Sequence, residues 1–182
     1  MTEYEFTLLI DGDLTDEDVA RRLFEAGCDD ATFGVINGAG YGEFIREAPS
    51  LADAVMSATR QVESAGRLRV RRIEPDDIVT MAEIADRLDR TRESVRLLIA
   101  GKRGRGEFPA PISHARDRGR LWRWSDVAEW LDMPEPEERE SAHFVAAANA
   151  AFELRYGVQR LNDDTAAKEL LQLVGETAST IW

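Results

Sequence analysis

Eleven Arg and Lys side chains stand between Arg87 and Arg123, against four Asp and Glu, in a 182-residue chain whose net charge is −12. The local balance is +7, so the rest of the chain carries −19. Guanidinium and ammonium groups at this density make charge-assisted hydrogen bonds to a polyanion, and on an acidic protein such an island points to nucleic acid. The cations fall into three sets. Arg92, Glu93 and Arg96, with Thr91 before them, sit at helical spacing. Lys102, Arg103 and Arg105 interleave with glycine in GKRGRG, and Arg116, Arg118 and Arg120 lie within five positions.

Groupings that would support other chemistry do not assemble. Cys28 is the only cysteine, so no intramolecular disulfide forms, and a reducing cytoplasm is the expected compartment. His114 and His143 with a single thiol make a poor zinc set, and no metal or cofactor is expected. Gly38-x-Gly40-x-Gly42 resembles a dinucleotide loop in spacing only, since it lies between two strand patterns rather than between a strand and a helix. GKRGRG lacks the spacing and the Ser/Thr of a phosphate-binding P-loop. Asp29-Asp30 and Asp76-Asp77 fit turns or caps, and Cys28 has no evident base beside it. The chain is not expected to be an enzyme. MTEYEFTLL lacks a secretory signal's basic head, and no apolar run approaches the ~18 residues of a membrane span.

The basic residues need elements to hold them. Thr80-x-x-Glu83 reads as a capping box, followed at helical spacing by Ile84, Ala85 and Leu88. Asp89-Arg90 makes a break, and Thr91 caps a second helix over 91–100 whose Val95, Leu98 and Ile99 pack back on the first. This is a helix-turn-helix pattern, with Arg92, Glu93 and Arg96 facing outward near the start of the second helix. The dipole there also favours phosphate. Gly101 ends that helix, and three glycines and two prolines keep GKRGRGEFPAPI out of helix. PIS and RLWRW then read as the strands of a small wing over 112–124, with ARDRG at its tip. Trp122, Trp124 and Trp130 recur at buried spacing and read as core rather than as base-stacking platforms. Ser125 is expected to cap a closing helix in which Val127, Trp130 and Leu131 face inward.

From Val79 to Leu131 the chain resembles the excisionase-type, MerR-like winged helix-turn-helix family. The resemblance rests on MAEIADRLDRTRESVRLLI, the FPAP loop, the G-x-L-W-x-W strand and the closing SDVAEWL. It implies that the second helix enters the major groove of double-stranded DNA and that the wing lies along the adjacent backbone or minor groove. Arg92, Glu93 and Arg96 would then face the groove, and Arg116, Arg118 and Arg120 would be wing contacts.

An α+β architecture in three parts is predicted. Residues 1–75 read as a ferredoxin-like βαββαβ domain. It has an alternating strand at EYEFTLLI, a helix opened by Thr15-x-x-Asp18 with Val19, Leu23 and Phe24 on one face, and two strands around Asn37-Gly38. A helix capped by Ser50 and a last strand, RLRVRRIE, complete it. Residues 79–132 form the winged unit. Residues 137–180 are a helical segment, with Phe144, Ala148, Ala151 and Phe152 on the face of one helix, a break at Gly157 and Asn162-Asp163, and Ala167, Leu170, Leu171 and Val174 on the next. The first 78 residues hold seventeen acids against eight bases. That excess is compatible with simple solubility or with a partner-binding surface. The expected function is sequence-specific DNA binding by a bacterial or phage-type transcriptional regulator. The alternative is an antitoxin or anti-activator that neutralises a protein partner through the acidic domain or the terminal helices. A homodimer is compatible with either.

Overall fold

A computed structural model describes residues 1–113, 119–133 and 135–181, with side chains as far as Gly175. The architecture is α+β, with two antiparallel sheets and several helices among the described residues. The first six elements follow the expected order: β1 (Thr2–Asp11), α1 (Glu17–Glu25), β2 (Ala31–Ile36), β3 (Ala39–Ala48), α2 (Leu51–Ser64) and β4 (Arg69–Glu74). Their strands lie in the order β2-β3-β1-β4, each antiparallel to its neighbour. Asn37 and Gly38 both take positive φ, 51° and 83°, the backbone that a two-residue hairpin between twisted strands demands. Gly42 leaves the seat for the Phe33 ring, since a Cβ there would lie 2.7 Å from it. The G-x-G-x-G spacing is thereby accounted for by a turn and by packing.

Even-numbered residues of β1, Phe6, Leu8 and Ile10, are buried against Val55, Ala58 and Val62 of α2 and Val19 and Leu23 of α1. Phe24 is a correction: it is 69% exposed, one position past the inward stripe of α1. The cap of α1 is also shifted, because Thr15 is bonded to the Asp13 carboxylate and Asp16 accepts from the backbone N–H of Asp18. Ser50 caps α2 as expected. On the opposite face of the sheet Glu3, Glu5, Glu43 and Glu47 are exposed, and Glu3 stands directly across from Glu47.

A second apolar cluster is built on Val79, Ile84, Ala85, Val95, Trp122 and Val127. It is formed by β5 (Ile78–Thr80), α3 (Met81–Arg87), α4 (Arg92–Ile99), β6 (Leu121–Arg123) and α5 (Trp124–Leu131). Strands β5 and β6 pair with each other. The expected partner of β6, residues 111–113, is not a strand. Pro111 has no N–H, and the Leu121 N–H is taken by the Ser113 hydroxyl rather than by backbone, so a single rung remains, from Ile112 N–H to the Leu121 carbonyl at 2.8 Å. Ser125 does not cap α5. Asp77, only 2% exposed, does so from a distance: its backbone carbonyl accepts from Trp124 N–H at 2.7 Å and its carboxylate from Ser125 N–H at 2.8 Å.

α6 (Pro136–Gln159) runs through Gly157 without a break, and α7 (Asp164–Ile181) follows it. Phe152 joins the first core, and Phe144 and Ala148 pack against it, whereas Ala151 faces solvent. The same helix touches α5, so it connects both clusters. Along β4 it also closes a sheet edge. The side-chain amide of Asn149 accepts from Ile73 N–H at 2.7 Å and donates to the Ile73 carbonyl at 3.1 Å. Arg155 donates to the Val70 carbonyl, and Glu63 of α2 accepts from Val70 N–H. No helix among the described residues is long and apolar enough to cross a membrane.

Cys28 is buried at 3% exposure, and burial pushes its thiol up to about 11. Alkylation by iodoacetamide at about pH 8 should therefore be slow in the folded protein and rapid after denaturation. Intact-mass spectrometry reads the difference, and equal rates would contradict the burial.

Candidate nucleic-acid interface

The two short helices at the centre of the basic island are fixed by their caps. Thr80 and Glu83 form the full reciprocal capping box of α3, and the Thr80 backbone N–H, followed by its hydroxyl, holds the Glu83 carboxyl below its ordinary range. Asp89 turns the chain with φ of 48°, which lets Leu88–Arg90 reverse direction in three residues. Thr91 caps α4 through its hydroxyl, accepting from Ser94 N–H at 3.2 Å. Val95 and Leu98 then bury one face, and Thr91, Arg92, Glu93 and Arg96 are left exposed.

Exposure does not leave these cations equally available. Arg96 makes a two-pronged ion pair with Glu93, at 2.7 and 2.6 Å. Arg96 first, and Lys102 to a lesser degree, hold the Glu93 carboxyl below its usual range, so Lys102 lies within electrostatic reach of the start of α4. Arg105 lies over the Trp130 ring, with its centre 5.4 Å from the centroid, and donates a 3.5 Å hydrogen bond to the Glu129 carbonyl. Arg120 is half-buried over Trp122. Arg87 and Arg123 are also engaged, with the Asp76 carbonyl and the Asp77 carboxylate.

Arg92, Lys102 and Arg103 remain exposed without an ion pair or side-chain hydrogen bond among the described residues, and Arg90 joins them. Sequence reasoning treated Arg90 only as part of the break. Its place in a three-residue turn next to the cap of α4 was the available signal. Arg116 and Arg118 lie outside the described residues. Trp122, at 1% exposure, donates its indole N–H to the Pro109 carbonyl, and Trp130 donates to that of Gly106. Two rings thus tie down the FPAP segment and the glycine-rich loop that carry the cations.

What results is a set of four exposed cations, Arg90 and Arg92 at the start of α4 and Lys102 and Arg103 just after its end, with an arginine–glutamate pair on the helix between them. Phosphate oxygens suit the free guanidinium and ammonium groups, while Arg96 reaches an outside acceptor only by leaving Glu93. No group of three or more potential metal ligands occurs among the described residues. Neither protein-family models, nor curated proteins, nor solved structures provide a match to this chain.

Proposed function

We propose that the chain binds double-stranded DNA sequence-specifically and serves as a transcriptional regulator. In this reading, α4 is a recognition helix and the residues around 112–124 are a basic wing of the excisionase-type, MerR-like kind. The observation that carries this reading is the set of exposed cations Arg90, Arg92, Lys102 and Arg103, unpaired among the described residues and bracketing a capped helix, in a chain of net charge −12. The first unit is read as a ferredoxin-like sandwich, which the strand order β2-β3-β1-β4 supports. The exposed Leu170, Leu171 and Val174 of α7 suit assembly, including a homodimer.

The test is fluorescence anisotropy on genomic fragments across a salt series. Four to six neutralised phosphates give a slope of log K against log salt of about −4 to −5. Arg92→Ala should cost about 1–3 kcal/mol and relax preference at one base position. Lys102→Ala and Arg103→Ala should weaken all sequences alike and each flatten the slope by about one contact. Glu93→Gln, which frees Arg96, should tighten binding to non-specific duplex. A slope near zero rejects the reading, and uniform losses across a randomised library for Arg92→Ala reject the assignment of α4.

A second reading, as an antitoxin or anti-activator, is favoured by the open sheet face. Like charges directly opposite in a strand pair are destabilising, and Glu3 faces Glu47 with no ion pair to either among the described residues. A basic protein partner would relieve that repulsion. Under this reading Glu3→Lys with Glu47→Lys abolishes partner capture and leaves any DNA shift intact.

A further inference from the structure

Away from these cations, a cavity of about 650 Å³ opens where the first sheet, α3, the start of α5 and the start of α6 converge. That volume lies within the range of small-molecule sites. Its apolar wall includes Tyr4, Phe6, Ile73, Pro75, Trp124 and Val145. The polar wall is almost entirely acidic. Glu74, Glu137 and Glu138 line it, all three exposed, and none of the three has an ion pair or side-chain hydrogen bond among the described residues. Asp76 and Asp77 also line it but are engaged elsewhere, Asp76 with Arg72 and Asn149, and Asp77 with Ser125 N–H.

Among the described residues one cation reaches the cavity. Arg87 lies with its guanidinium centre 5.0 Å from the centroid of the Trp124 ring and donates to the Asp76 carbonyl. It shows that the indole face accepts positive charge. Against it stand three carboxylates without an ion pair among the described residues, in a concavity whose apolar walls concentrate their field. An anion is repelled there, and a neutral apolar molecule gains nothing from the carboxylates, which are exposed to water.

We propose that this cavity binds a small organic cation, its aromatic or alkyl body against Tyr4, Ile73 and Trp124 and its charge facing Glu74, Glu137 and Glu138. The lining comes from several elements, so such a ligand fastens the first unit, the helix pair and α6 together. The inference is independent of what the basic island binds, and its test contains no nucleic acid.

The full chain is titrated by calorimetry with N-methylacridinium, a permanent cation, and with acridine, its uncharged counterpart at about pH 8. Saturable one-to-one binding is expected, with the cation favoured by at least about tenfold, which corresponds to about 1.4 kcal/mol. Glu74→Gln with Glu137→Gln should weaken the cation by at least about tenfold and leave acridine unchanged, and Glu138→Lys should do the same by charge reversal. Glu3→Gln with Glu47→Gln removes equal charge from the open sheet face and should alter the cation's Kd by less than about twofold. The inference is overturned by equal affinity for the two probes or by an equal loss in the sheet-face variant. It also fails if the cation does not bind saturably up to about 1 mM.

Discussion

Asn149→Leu should destabilise the folded chain by about 2–5 kcal/mol, although it replaces a polar residue inside a helix with a good helix former. Asn149 is 5% exposed and its amide does the work of a neighbouring strand. The oxygen accepts from Ile73 N–H, and the nitrogen donates both to the Ile73 carbonyl and to the Asp76 carboxylate. Leucine leaves two backbone groups of an edge strand covered by α6 and without partners. Each orphaned buried group costs about 1–3 kcal/mol, which outweighs the few tenths gained in helix propensity. At about 2–4 °C per kcal/mol for a chain of this size, Tm should fall by roughly 5–15 °C. Asn149→Asp distinguishes hydrogen bonding from shape. It keeps the acceptor for Ile73 N–H but sets a second carboxylate against Asp76 and the Ile73 carbonyl, so it should be at least as damaging at neutral pH. A melting temperature within about 1 °C of the parent for Asn149→Leu would show that α6 does not seal the sheet edge.

That residue also shows where sequence reasoning stopped. Asn149 sits in AAANAAF, where nothing in the pattern distinguishes a buried amide from a solvated one. Its role depends on a strand edge 76 positions earlier. Local chemistry was legible. Asn37-Gly38, Ser50, Thr80 with Glu83, and Thr91 each act over two to four residues, and each takes the conformation its type demands. Where a nearby competitor existed, the reading shifted. Asp16 took the cap assigned to Thr15, and Asp77 took the one assigned to Ser125 by reaching across from another segment. β5 was missed because Ile78–Thr80 is only three residues long and passes directly into a helix cap. Gly157 was read as a break, yet its helical hydrogen bonds continue, and a single glycine costs only about 1 kcal/mol in a helix of 24 residues.

The candidate site was legible to the same depth. Composition located the basic island, and helical periodicity placed Arg92, Glu93 and Arg96 outward. Composition cannot divide cations between internal and external partners, because that choice rests on geometry. Arg96 and Glu93 are three residues apart and close a bidentate pair, whereas Arg92 makes no ion pair among the described residues. Arg87 and Arg123 looked equivalent to the others until Asp76 and Asp77 folded back against them. Of the +7 counted along the sequence, only part is therefore available to a polyanion without rearrangement.

The second large effect is expected at Trp122. It is the largest fully buried side chain among the described residues, and it belongs to a cluster built from only a few side chains. Trp122→Ala removes the ring that meets Phe108 edge-on at 6.4 Å and the donor to the Pro109 carbonyl. Large aromatic truncations of this kind cost about 3–5 kcal/mol. A core this small has few neighbours able to collapse into the void, which places the expected value in the upper half of that range. Trp122→Phe retains most of the volume and loses the indole N–H, so it should cost about 1–2 kcal/mol. The ratio of the two separates packing from the hydrogen bond. The damage should also be regional, because β1–β4 have their own core, completed by Phe152 rather than by any residue of β5–α5. Hydrogen exchange of Trp122→Ala should therefore show lost protection in α3, α4 and β6 before Leu8 and Val70 of the first sheet. Simultaneous loss across both would mean that α6 couples the two clusters into one cooperative unit. In that case Asn149→Leu should accelerate exchange in α4 as well.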